Sequence, residues 1–295
     1  IFDLLFAPLT VKELAEEQGF KENETQILLD ALVSMGLLTK RVSHYQITAK
    51  YRSFLITDDP QSMRETLLHL EKVRHGDVDT ICSRLKNGVV KHTAVDFSQP
   101  EFWQKAVNNL RAFHTSCSND VALGILQGLP EWPEVRRFLD LGAGSECLAV
   151  SLAEQHPKLK IRVFDLPLCA KNIEEALLPL HKEHIQVIAG DYNEAEIVGG
   201  NDVIWTSMSL YYAKDLNMLL SNLKAALNKN GMLVSLHEGL TDARTSPEYH
   251  VVGRFFPALN GNNVSFGRGD IANAMKKVGF RHVISRTIHT LYGPM

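Results

Sequence analysis

Arg137-Phe-Leu-Asp140-Leu-Gly142-Ala-Gly144-Ser-Glu146-Cys147-Leu-Ala is the stretch that decides the fold. A short run of strand character enters two glycines one residue apart, and a helical stretch then extends to Pro157. Glycines at such a turn let a ligand approach the backbone, and the start of the following helix presents unpaired N–H groups. Apolar runs of strand type recur at 161–164, 185–188, 203–205 and 232–236, with helical segments between them. The clearest helix carries Leu216, Leu219, Leu220, Leu223 and Leu227, and Gly231 is expected to close it. Strands that alternate with helices argue a doubly wound, parallel α/β sheet, whose ligands bind beyond the carboxyl ends of the strands.

Three acids fall at three successive strand ends. Asp140 precedes the glycine loop, Asp165 lies 23 residues after Gly142, where a ribose diol is held, and Asp191 closes the third strand. The series points to an adenosine-type ligand. A nicotinamide fingerprint GxGxxG requires glycine at position 147, where Cys147 stands. S-adenosylmethionine has no phosphate and carries a sulfonium and an ammonium, and acids around its site are favourable to those charges.

Outward from this core, residues 1–60 suggest short helices and a hairpin. Thr10 with Glu13 makes a capping box and Gly19 stops the helix; Asn23 with Gln26 is expected to begin a second helix, which Gly36 ends. The apolar residues of that helix, Ile27, Leu28, Ala31, Leu32 and Met35, are expected to be core. Two strand-like runs at 37–40 and 44–48 then complete a winged helix. DNA is its usual partner, yet these 60 residues hold six bases against nine acids, and the candidate recognition helix has no Lys or Arg. A protein–protein role is expected. Residues 62–128 read as helical, with aromatics at Phe97, Phe102, Trp103 and Phe113 for helix packing or a pocket wall, and Gly128 to Pro133 marks a domain boundary. The expected domains are 1–130 and 131–295.

Bulk composition agrees. The 295 residues carry 31 bases and 34 acids, with 45% hydrophobic and 22% charged residues, which excludes disordered and fibrous classes and a polyanion binder driven by net charge. No apolar run reaches the ~20 residues of a membrane span. Cys82, Cys117, Cys147 and Cys169 form no CxxC pair, so neither a metal site nor a disulfide framework is indicated, and reduced, cytoplasmic thiols are expected.

The motifs Asp140-Leu-Gly142-Ala-Gly144, Val163-Phe-Asp165-Leu166-Pro167, Gly190-Asp191-Tyr192 and the strand from Leu233 to Glu238 resemble those of plant-type, acetylserotonin-like small-molecule O-methyltransferases, which have bacterial natural-product members. The resemblance spans essentially the whole chain. It implies a Rossmann-like S-adenosylmethionine-binding sheet behind a mainly helical winged-helix domain that forms a homodimer and covers the active site. It implies neither a metal, nucleic acid nor a membrane as partner, and S-adenosylhomocysteine as product. Asp165 would bind the ribose hydroxyls, Asp191 and Tyr192 would bracket the adenine, and Gly142 and Gly144 would pass the methionine end. Asp140, Leu166 and Ser207 complete the candidate cofactor set. His114, Met208, Tyr212, His250 and Phe256 are the candidate substrate contacts, with Phe255 as a further wall residue. The family also places a helix before the position of Ile1 and a strand past Met295, so the chain is expected to be clipped.

Departures from the pattern set the open questions. The loop has Glu146 where the family has a third glycine; a carboxylate there can cap the helix but would repel the cofactor's own carboxylate. At the family's His-Asp base the chain reads Tyr211-Tyr212. Glu238 matches an acid that flanks the base, and a second family acid falls at or near Ser265. Tyr211 and Glu238 are therefore the candidate catalytic residues, with His237 as a substitute base. The leading expectation is in-line methylation of a small aromatic or conjugated hydroxy metabolite. Its rivals are a binding or scaffold protein that has lost methylation, a DNA-binding regulator, and a protein that uses the cofactor for another reaction.

Overall fold

The computed structural model describes residues 1–74, 76–89, 100–241, 243–262 and 265–295, which pack as two units, Ile1–Leu68 and His69–Met295. In the first unit, β1 (Leu9–Thr10) leads into α1 (Val11–Gln18), where the expected capping box is complete: Glu13 N–H donates to the Thr10 hydroxyl and the Thr10 N–H donates to the Glu13 carboxylate. Gly19 closes α1 at φ 67°, a conformation that favours glycine. The second helix, α2 (Glu22–Ser34), begins one residue ahead of the expected Asn23 start and has no side-chain cap. Two strands, β2 (Leu38–Arg41) and β3 (His44–Ile47), form the wing in an antiparallel sheet of order β1-β3-β2. Lys40 and Tyr45 both donate to Asp30, which ties α2 to the wing.

The expected core of α2 is corrected. Leu29 is fully buried, with Leu32 and Val33 packed beside it, whereas Ile27, Leu28 and Met35 are 63%, 43% and 67% exposed. The helix carries apolar residues on two faces, and the small core formed by Leu5, Leu14, Leu29, Leu38, Tyr45 and Ile47 has room for only one of them.

After α3 (Arg52–Leu55), the division between the units falls within α4 (Arg64–Arg74), and the second unit continues with α5 (Val78–Asn87) and α6 (Pro100–Phe113), which passes through a π turn at His114–Ser118 into α7 (Asn119–Gln127). Phe97 lies outside the described residues. Phe102 and Trp103 meet edge to face at 5.3 Å, and both belong with Phe113 to the core beneath the sheet, as helix packing requires. Packing divides the chain after Leu68, and the boundary expected at residue 130 marks the passage from helices to sheet.

The sheet then builds as expected: β4 (Arg137–Leu141), α8 (Cys147–Gln155), β5 (Lys160–Asp165), α9 (Pro167–Ala176), α10 (Pro179–Lys182), β6 (Ile185–Ala189), β7 (Asn201–Ser207), α11 (Leu216–Ala226) and β8 (Leu227–Leu236). All five strands are parallel in the order β6-β5-β4-β7-β8. Alternate residues face opposite layers: Phe138 and Val163 pack with α8 and α9, and Leu139, Leu141 and Phe164 pack with α11 and α14 (below). Gly231 does not close α11. It lies inside β8, where a Cβ would come within 2.9 Å of the Asn201 carbonyl, at the irregular Asn201/Val203 register. The chain leaves β6 on one side of β4 and returns as β7 on the other, so the switch point lies between the carboxyl ends of β4 and β7. Beyond it come β9 (Gly239–Leu240), α12 (Glu248–Gly253), α13 (Phe255–Leu259), β10 (Phe266–Gly267), α14 (Asp270–Lys277) and a closing hairpin of β11 (His289–Thr290) and β12 (Gly293–Pro294). Among the described residues no helix is long and apolar enough to cross a membrane.

Candidate active site

The glycine loop and two acids form one edge of the crevice. Gly142 and Gly144 take φ of 71° and 70°, and a Cβ on either would come within 2.8 Å of Ser209 or of Leu110. Both are glycine because the turn is left-handed and has no room. Asp165 accepts the Gly144 N–H on one oxygen at 2.8 Å and the Leu166 N–H on the other at 2.7 Å. The Cys169 thiol also bonds this carboxylate. A carboxylate offers about four acceptor positions, so one remains for a ligand's hydroxyl. Asp140 is buried on the same edge, and burial together with the Asp165 charge pushes its carboxyl up to about 8. Burial pushes Asp165 upward too. Two crowded acids of this kind fit a cationic ligand and disfavour a pyrophosphate.

Glu146 does not cap α8. Its carboxylate turns to Arg111, with Nε at 2.6 Å and a second guanidinium nitrogen at 3.1 Å, a bidentate pair that offsets its charge beside the loop. The expected repulsion of a ligand carboxylate is therefore largely neutralised within the chain. One turn later, at the π turn, His114 meets the Ser145 hydroxyl at 2.7 Å, and burial pushes the imidazole down to about 4. His114 is thus neutral and held against the loop. Arg111 carried no sequence signal, because it lies 35 residues from its partner on another element.

On the β6 side, Asp191 accepts two bonds from Asn193, and the Tyr192 hydroxyl donates to the Ser209 carbonyl at 2.8 Å, which fixes its ring beside the crevice. Ser207 ends β7, and Met208 follows at φ 47°, a strained position for a side chain of its size.

Past β7 and β8 lies the expected catalytic pair. The Nε2 of His237 accepts from both the Ser209 and Leu210 N–H groups at 3.0 Å, so Nδ1 carries the hydrogen and meets the Ser235 hydroxyl. Burial, with the Arg254 charge, pushes His237 down to about 3. Both nitrogens are committed, and His237 is a strut between strand ends with no lone pair for a substrate proton. Tyr211 is packed against His237 and Tyr212, and burial pushes its phenol well above the usual range, so it remains a hydrogen-bond donor at neutral pH. Glu238 is 4% exposed and ion-paired with Arg254, whose guanidinium also lies 5.2 Å from the Tyr211 ring centre. Arg254 was not singled out in the sequence, although a lone cation inside an apolar run is a visible signal.

The remaining residues are more dispersed. Tyr212 is about half exposed. His250 is buried and donates through Nε2 to the Pro294 carbonyl, which packs it against the closing hairpin. The Phe256 ring lies over Gly76, where a Cβ has no room, and Phe255 is 43% exposed. Ser265 directly precedes β10. A cavity of about 610 Å³ opens elsewhere, at the amino ends of β4, β5 and β6, and its lining, including Arg137, Lys160 and Arg162, holds none of these residues. Among the described residues no group of three or more His, Cys, Asp and Glu could hold a metal ion.

The chain matches the O-methyltransferase domain family over residues 72–276 and the O-methyltransferase dimerisation domain over residues 1–55. This protein belongs to the O-methyltransferase family. Among the relatives of this O-methyltransferase, the S-adenosyl-L-methionine-dependent methyl transferase PigF of Serratia is 22% identical over 249 residues, 81% of this chain and 71% of that protein. The 3-hydroxy-5-methyl-1-naphthoate 3-O-methyltransferase of Streptomyces sahachiroi is 25% identical over 248 residues, 76% of this chain and 66% of that protein. Human N-acetylserotonin methyltransferase in complex with S-adenosylmethionine shares the fold, with a TM-score of 0.74 at 20% identity, covering 95% of this chain and 85% of that one. Membership of the family does not favour a scaffold that has lost methylation, and PigF, which shares the fold, was solved with S-adenosylhomocysteine.

Proposed function

We propose that this O-methyltransferase acts on a small aromatic or conjugated hydroxy metabolite. The observation that carries the reading is the crowding of buried Asp140 and Asp165 against the tight Gly142–Gly144 turn at the switch point, a setting that suits a cationic, phosphate-free adenosine ligand. When bound, S-adenosylmethionine supplies an electrophilic methyl group on its sulfonium. Asp165 would hold the ribose with its remaining acceptor position, next to Leu166, and Tyr192 with Asp191 would hold the adenine. Gly142, Gly144 and Ser207 would line the methionine end, where the ligand's positive charge would draw the raised Asp140 carboxyl into its ionised form. Tyr211 and Glu238 are the proposed catalytic residues, and His114, Met208, Tyr212, His250 and Phe256 the proposed substrate contacts. Orientation of the acceptor supplies much of the acceleration in a displacement of this kind. Within the second unit, α6 and the π turn place Leu110, Arg111 and His114 over the loop, which keeps water away from it.

The aromatic acceptor is supported by the Streptomyces relative, whose name specifies a hydroxynaphthoate. The dimerisation domain supports a homodimer. Calorimetric titration with S-adenosylmethionine and S-adenosylhomocysteine tests the core of the reading. We expect micromolar binding to the wild type and a loss of at least about 100-fold in Asp165→Ala, since the ribose loses a charge-assisted bond and the glycine turn loses the carboxylate that holds it. Equal binding by both proteins would refute the assignment of Asp165.

A further inference from the structure

At the carboxyl ends of β7 and β8, one buried carboxylate oxygen stands apart. Glu238 is more than nine-tenths buried and its Oε1 is taken by Arg254, yet Oε2 has no hydrogen-bond partner among the described residues. An acceptor buried in that way is costly unless something donates to it. Arg254 serves two groups at once, because it pairs with Glu238 and also reaches the phenol and ring face of Tyr211. Tyr211, Arg254 and Glu238 thus form one linked unit, walled by Tyr212, His237 and Phe266.

We propose that Glu238 Oε2 receives the proton of the methyl acceptor, that Arg254 is the positioning residue which keeps Glu238 ionised and aimed, and that the acceptor is consequently an acidic hydroxyl, such as an electron-poor phenol or a conjugated enol. The proposal rests on the O-methyltransferase reading and deepens it. A guanidinium beside a carboxylate favours the charged form and counters the opposite effect of burial, and a carboxylate is a far weaker base than a phenolate. An ordinary glutamate titrates near ~4.3 and an ordinary phenol near ~10, and proton transfer is efficient only where donor and acceptor are better matched than that. An acidic hydroxyl closes the gap and a simple alcohol widens it. The groups facing Glu238 leave it the role. Tyr211, after β7, stays protonated; His237, beside it on the β8 end, has both nitrogens committed; Arg254, after α12, is its ion-pair partner; and Arg268, on the β10 side, lies next to Gly239. In the step, the acceptor's O–H bond breaks, the proton passes to Oε2 and the electron pair stays on the acceptor oxygen. That electron pair would form the bond to the methyl group that S-adenosylmethionine supplies when bound, the broken S–CH3 bond leaving its pair on sulfur as S-adenosylhomocysteine. Glu238 then returns the proton to solvent, one for each methyl transferred.

Para-nitrophenol is a suitable probe, because its hydroxyl and phenolate forms differ in visible absorbance. The probe is titrated with pH on wild type, Glu238→Gln, Arg254→Met and Arg254→Lys, each saturated with S-adenosylhomocysteine. Glu238→Gln removes a negative neighbour and should move ionisation of the bound probe to lower pH by about one unit or more, and Arg254→Met should move it to higher pH by a similar amount. Arg254→Lys should stay close to wild type. Residues that only support the fold would change affinity without these opposed shifts. Shifts in the same direction, or none, would overturn the proposal, as would a wild type that binds S-adenosylhomocysteine but not the probe. Failure to bind S-adenosylhomocysteine at all would instead remove the methyltransferase reading and the proposal with it.

Discussion

Asp140 shows how a single residue couples the ligand site to stability. Its carboxyl is pushed up to about 8 by burial and by Asp165, whereas in the unfolded chain an aspartate titrates near ~3.9. Between these values the unfolded state ionises while the folded state still holds its proton, so ligand-free stability should fall as pH rises from about 4 toward 8. Asp140→Asn should flatten that slope, leaving stability little changed at about pH 5 and raised at about pH 8. Urea denaturation at the two pH values checks it, and parallel curves for mutant and wild type would contradict the assignment. His237 is a different case. The sequence places it next to Glu238, which makes a base conceivable, but two backbone amides at 3.0 Å claim its free lone pair. Adjacency in sequence does not reveal that kind of commitment.

Elements were legible wherever periodicity was strong. The five strands of the sheet follow apolar runs visible in the chain, and the capping box at Thr10 starts α1 as its spacing requires. The boundaries that moved did so for tertiary reasons: Gly231 is used at a strand irregularity and not as a helix stop, because the carbonyls of Asn201, Asn228 and Asp202 crowd it. At the junction of α6 and α8, the Arg111–Glu146 pair is only 34% and 13% exposed. Removing one partner leaves a charge near the loop, so Arg111→Met should weaken S-adenosylmethionine binding about tenfold, equivalent to ~1.4 kcal/mol. Arg111→Met combined with Glu146→Gln should recover most of the loss. Calorimetry on the two single variants and the double variant gives the answer, and additive losses would mean that Glu146 does not act through its charge.

For the whole molecule, the informative surface is on the first unit. Ile27, Ala31 and Met35 repeat at helical spacing on the exposed face of α2, with Leu28 beside them, in a segment that matches the dimerisation domain. An apolar stripe of this size is costly in water and is suited to a second copy of the chain. Burial of one such side chain contributes roughly 1.5–3 kcal/mol. Ile27→Asp with Met35→Asp should therefore raise the dimer dissociation constant by at least about 100-fold while the first unit stays folded, since neither side chain is in its core. Sedimentation velocity across a dilution series measures this. An unchanged dimer would move the interface away from α2.

By itself the sequence determined the fold class and pointed to the glycine turn and strand-end acids proposed to hold the cofactor. Strand and helix periods, the glycines at 142 and 144, and the acids at 165 and 191 are local signals, set by backbone sterics and by spacing along single elements. Tertiary structure alone decided which face of α2 is core, that Glu146 is neutralised by Arg111, that both nitrogens of His237 are committed, and that Arg254 joins Glu238 to Tyr211. Each of those outcomes depends on charges, lone pairs or apolar surfaces meeting across elements far apart in the chain. Their energies follow distance and burial in space, and neither quantity is encoded in the spacing of residues along one strand or helix.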